Sequence, residues 1–171
     1  MSCGCSRLTA NPNPLYTSIY DIRYPDSIVF AQESQRLGSR IDGIGDDIMP
    51  VLDGGLRERW QKEAVIIAGL TRFPAFYYFD RLASATGHRV LYHAEHVYHA
   101  DGHVAHKLTA PAWALGEARH ALLVGEHWGR SVAHVMRLFS SVDTQLVSVT
   151  VETGAPNPSS GIGHLESWLI G

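Results

Sequence analysis

The chain has 171 residues, 45% of them hydrophobic and 18% charged, with a formal net charge of -3 at neutral pH. That is the size of one ordinary domain with a core of its own, and its make-up is globular rather than disordered. The acidic balance and the scattered Lys and Arg exclude a nucleic-acid binder working through a basic face, and no apolar run is long enough to span a bilayer.

Residues 1–14, MSCGCSRLTANPNP, are an Asn/Pro-rich lead-in expected to be flexible. They hold no basic segment followed by an apolar one, so the expected location is cytoplasmic unless a leader has been removed. Cys3 and Cys5 are the only cysteines. A bridge across one intervening residue would be strained, and two thiolates are half of a soft-metal site.

LYTSIYDI (15–22) is rich in β-branched and aromatic residues and reads as a strand. YPDSIVFAQESQRLG then sets Pro25 and Asp26 at a helix start, with Gly38 as the stop. SRIDGIG is a short second strand. DDIMPVLDGGLRERWQKE predicts a helix interrupted by Pro50 and the Gly54–Gly55 pair. AVIIAGL (64–70) is continuous and apolar, as a strand buried on both faces must be. TRFPAFYYFDRLASATG predicts a helix with Thr71 as a cap, Pro74 in its first turn and Gly87 at its end.

HRVLYHAEHVYHA and HVAHKLTAP flank Asp101-Gly102, a favoured two-residue turn, and predict an antiparallel hairpin. The stretch from Ala112 to Ser141 is helical, with Trp128, Val132, Val135, Met136 and Phe139 on one stripe. Gly125 and Gly129 are places for a kink or a close packing contact. TQLVSVTVET predicts a further strand. The segment 154–171 reads as a Pro/Gly/Ser-rich tail with a short apolar end, HLESWLIG.

The alternation of strand and helix over 15–153 predicts a single α/β domain. Its expected form is three-layer and Rossmann-like or flavodoxin-like: a mostly parallel sheet, helices on both faces, and the hairpin added. In such sheets ligands bind beyond the carboxyl ends of the strands. That rule selects Asp21, Arg23 and Asp26 after the first strand, Asp46 and Asp47 after the second, and Thr71 and Arg72 after the third. Arg23, Thr71 and Arg72 are the expected ligand-binding residues, and Asp21, Asp46 and His93 the acid/base candidates. No G-x-G-x-x-G, P-loop or G-x-S-x-G occurs, so no nucleotide-cofactor motif or serine elbow is present.

Six of the ten histidines fall between His88 and Lys107. With Asp101-Gly102 as a two-residue turn, His93, Glu95, Val97 and His99 share a face with Val104, His106 and Leu108. Tyr92, His96 and Tyr98 then share the other with His103, Ala105 and Lys107. His93, Glu95, His99 and His106 are thus the candidate ligands of a divalent metal, in the manner of two histidines and a carboxylate.

The functional expectation is a protein that binds a small polar or anionic molecule at the strand ends, with acid/base catalysis of lyase, isomerase or hydrolase type as its enzymatic form. The alternatives are a non-enzymatic subunit that forms homo-oligomers or binds a partner, and a metal-binding protein built on the hairpin. Neither nucleic acid nor membrane is an expected partner.

Overall fold

The structure, a computed structural model, describes residues 15–124, 127–138, 146–152 and 163–171. The lead-in with Cys3 and Cys5, Gly125, Phe139 and most of the Pro/Gly/Ser-rich segment lie outside the described residues.

Three parallel strands form the part of the fold that the sequence pattern anticipates. β1 (Leu15–Asp21) lies between β2 (Arg40–Ile44) and β3 (Ile66–Thr71) and runs parallel to both. α1 (Pro25–Arg36) connects β1 to β2. Pro25 starts it because a first-turn residue needs no N–H partner. Gly38 ends it with φ 92°, a conformation a side chain resists, and its N–H returns to Gln35 O at 2.9 Å.

The connection from β2 to β3 is the interrupted helix. α2 (Met49–Val51) and α3 (Arg57–Lys62) are joined by a widened turn, Leu52–Leu56, in which Gly55 takes φ 106°. The break turns Val51, Leu52, Leu56 and Trp60 into the same apolar core.

Beyond β3 the elements before the last strand follow in the expected order, but the way they join the sheet does not. α4 (Phe73–Ala85) leads into β4 (Val90–Tyr98), β5 (Val104–Pro111), α5 (Ala112–Val124), α6 (Trp128–Leu138), β6 (Leu146–Glu152) and β7 (His164–Ile170). The single seven-stranded sheet has the order β2-β1-β3-β7-β4-β5-β6. β7 is antiparallel to both β3 and β4, and β5 is antiparallel to β4 and β6. The sheet is therefore mixed, not mostly parallel. The segment read as a tail end is its central strand, with Leu165 through Ile170 all buried. Burial on both faces explains why HLESWLI lacks a clean apolar/polar alternation.

Side-chain alternation along β3 divides the core in two. Ile66, Ala68 and Leu70 join Phe30 of α1 and the buried residues of α5 and α6. Ile67 joins Val51, Trp60, Phe79 and Ala83 from α2 to α4. Helices thus cover both faces of the sheet around β3, and α1 and α6 pack closely enough that a Cβ on Gly129 would stand 2.2 Å from Asp26 O.

Candidate functional site

β1 sends α1 to one face of the sheet and its neighbour β3 sends α4 to the other, so the connections leaving these two strand ends part and leave a crevice between them. Ser27 pins this junction: its hydroxyl accepts from Asp21 N at 2.8 Å and donates to Leu70 O. The ends of β1 and β3 are thereby held together by the first turn of α1.

A cleft of about 480 Å³ lies at these strand ends, lined by Asp21, Asp46, Arg72, Met49 and Tyr78 among others. Asp21 is buried, and Arg23 grips it through two parallel bonds, Nε to Oδ1 at 2.8 Å and Nη2 to Oδ2 at 2.7 Å. The same guanidinium reaches Asp46 Oδ1 through Nη1 at 2.6 Å and Gly45 O through Nη2 at 3.0 Å. Arg72 Nη2 donates to that same Asp46 oxygen. Arg72 Nε lies 3.4 Å from Asp21 Oδ2, within ion-pair range, and has no hydrogen bond of its own among the described residues.

Two carboxylates and two guanidiniums therefore interlock. The hydrogen bond from Arg23, then that from Arg72, lowers the Asp46 carboxyl below its ordinary range. The Asp21 and Asp46 carboxylates raise the Arg23 guanidinium above its ordinary value. Asp47, at the cleft's edge, accepts from Met49 N at 2.8 Å, the first N–H of α2.

Asp21, Arg23, Asp46 and Arg72 are brought together at the strand ends, with Arg23 reaching the cleft through Asp21 and Asp46 rather than lining it. Thr71 is not among the residues lining the cleft: it is fully buried, its hydroxyl accepts from Trp168 Nε1 at 3.0 Å and donates to Arg72 O. Nor does it cap α4, whose cap position is Arg72, without a side-chain cap bond.

His93 does not line the cleft. Its ring stacks on Phe76 at 4.4 Å and its Nε2 donates to Glu166 Oε2 at 2.6 Å. His164 Nε2 meets the other oxygen of that buried carboxylate at 2.9 Å. The β7 residues Glu166 and His164 have no counterpart among the sequence candidates, because their segment reads as a tail. The only signal for them is alternation in HLESW, which puts His164, Glu166 and Trp168 on one face.

The candidate metal set is divided. His99 N donates to His103 O, and Gly102 takes φ 89°, so the turn holds three residues rather than two. The one-residue change shifts the whole of β5: Glu95 pairs with Lys107 and His96 with His106. His93 and Glu95 stay on one face, where Lys107 Nζ binds Glu95 at 3.0 Å, while His106 is buried on the other. His99 is exposed at the turn. Among the described residues no group of three or more His, Cys, Asp and Glu could hold a metal ion.

No protein-family model, curated protein or solved structure matches this chain. Among the described residues no helix is long and apolar enough to cross a membrane.

Proposed function

We propose that the protein binds a small polar, anionic molecule in the cleft at the ends of β1, β2 and β3. The observation that carries this reading is the convergence of Arg23 and Arg72, from two different strand ends, on one oxygen atom bordering that cleft. Planar guanidinium groups suit carboxylate and phosphate oxygens, and a cleft with apolar walls and a few fixed polar groups is the usual form of a small-molecule site. Arg23 is the fixed anchor, since Asp21 holds it through two bonds. Arg72 is the more adjustable donor.

The test is a panel of carboxylates, phosphates and uncharged polar compounds, screened by thermal shift and titrated by calorimetry against the natural protein and Arg72→Gln. Circular dichroism checks that the variant is folded. Anionic compounds that bind the natural protein and weaken with Arg72→Gln support the reading. A binder indifferent to Arg72→Gln, or a preference for uncharged compounds, overturns it.

A further inference from the structure

Asp46 and Asp21 are both partners of the arginines, yet they are built differently. Asp21 sits in the strand end with its side chain 2% exposed, whereas the Asp46 side chain is 83% exposed on the connection between β2 and α2. Among the described residues the two guanidiniums are the hydrogen-bond partners of the Asp46 carboxylate. Surface ion pairs of this kind contribute little, because water competes for both charges. Arg23 keeps its place on Asp21 whether or not Asp46 is present.

Continuing the reading above, we infer that Asp46 occupies the place of a ligand's anionic head group, and that the ligand joins such an oxyanion to an apolar body. The carboxylate marks the point where two N–H donors meet, which an incoming phosphate or carboxylate oxygen can take over once Asp46 swings outward. Past this point the cleft is walled by Met49 from α2 and Tyr78 from α4, which remain 42% and 56% exposed. Large apolar side chains left open along the wall of the cleft provide a surface for a flat or aliphatic body. Asp46 then acts as a built-in competitor: it lowers apparent affinity by the fraction of time it fills the head-group position.

Calorimetric titration of inorganic phosphate, phenyl phosphate and benzoate tests this, with the natural protein, Asp46→Ala and Tyr78→Ala. If Asp46 fills the position about nine-tenths of the time, Asp46→Ala binds the preferred oxyanion about tenfold more tightly. Phenyl phosphate binds more tightly than inorganic phosphate, and Tyr78→Ala removes that preference. The benzoate arm separates a carboxylate head from a phosphate head. Weaker or unchanged binding by Asp46→Ala, or equal binding of phosphate and phenyl phosphate, overturns the inference. Either result leaves the dependence on Arg72 to be judged separately by Arg72→Gln.

Discussion

His96 Nδ1 and His106 Nδ1 stand 2.6 Å apart, fully buried between β4 and β5 beneath the indole of Trp128. His96 Nε2 also meets Ser167 Oγ at 2.7 Å, and Ser167 donates to Tyr92 Oη at 3.2 Å. The chain of donors fixes the tautomers. His96 donates from Nε2, so its Nδ1 accepts, and His106 Nδ1–H is the donor between the rings. His106 Nε2 is left buried with no hydrogen-bond partner among the described residues. A proton there gains no acceptor, and one on His96 Nδ1 faces the N–H of His106.

This pair predicts acid sensitivity above the carboxylate range. Burial lowers the His106 pKa to about 4, and burial together with the neighbouring His106 lowers that of His96 well below its ordinary value. Both groups therefore take up protons more readily in the unfolded chain. Their contribution is complete above about pH 6.5 and declines as the pH falls toward 4, with His106 alone accounting for a loss on the order of 3 kcal/mol. Urea unfolding at pH 7.5 and pH 5 measures the loss, and His106→Gln, which keeps a donor toward His96, should reduce the slope. Equal midpoints at the two pH values would refute the assignment.

Glu33 predicts a second, lower window. It joins α1 to α6, accepting from Arg36 Nη2 at 2.5 Å and from His134 Nε2 at 2.7 Å. The Arg36 hydrogen bond leads the causes that lower the Glu33 carboxyl to about 2, against the opposing effect of burial. Its folded pKa is depressed, so its contribution is complete above about pH 4.5 and is lost as the pH falls toward 2. Because Arg36 is well exposed, about 1 to 2 kcal/mol is the expected size. Glu33→Gln should lose this amount at pH 7 and leave the decline between pH 6.5 and 5 intact. A variant that flattens the higher window instead would assign that window to the wrong residues.

The two halves of the fold were unequally legible, for a physical reason. The strand-end cluster follows from local signals: Asp21, Arg23, Asp46 and Arg72 each lie within two residues of a strand end, and parallel topology then gathers them. The buried bond of Thr71 is not legible in the sequence because its partner, Trp168, lies 97 residues away. The faces of the hairpin histidines are not legible because Asp-Gly suits both a two-residue and a three-residue turn, and one residue of register exchanges the faces of a strand. β7 is not legible as a strand because a central strand is recognised by its neighbours, and those are β3 and β4, far away in sequence.

The contact between Gly69 and Trp168 offers a test of that central strand. They are register partners, and a Cβ on Gly69 would lie 2.1 Å from Trp168 Cζ2. Gly69→Ala must move the indole, which is packed against Phe79 and bonded to Thr71. Overpacking with a strained or lost hydrogen bond should cost about 3 kcal/mol. Gly116→Ala is the matching control: it lies in α5 with nothing within 4 Å of the added Cβ, and it should stabilise by up to about 1 kcal/mol. Thermal unfolding with tryptophan emission reads both effects, and a Gly69→Ala protein as stable as the natural one would contradict the placement of β7.

Glu166 supplies the remaining prediction. It is 1% exposed, lies between Thr71 of β3 and Glu95 of β4 in register, and accepts from His93 and His164. Lys107 holds Glu95 at 3.0 Å, leaving Glu166 to be met by the two imidazoles. Glu166→Leu removes the acceptor from both rings at once and puts an apolar side chain of similar volume in its place. The expected loss is about 2 kcal/mol, mostly from the half-buried His93, because His164 can turn to water. Glu166→Gln should lose less, since its amide oxygen still accepts from one ring. Nitrogen chemical shifts of the imidazoles give a readout independent of stability: His93 carries its proton on Nε2 in the natural protein and relaxes toward a mixture of tautomers in Glu166→Leu. Unchanged shifts in that variant would show that Glu166 does not orient His93.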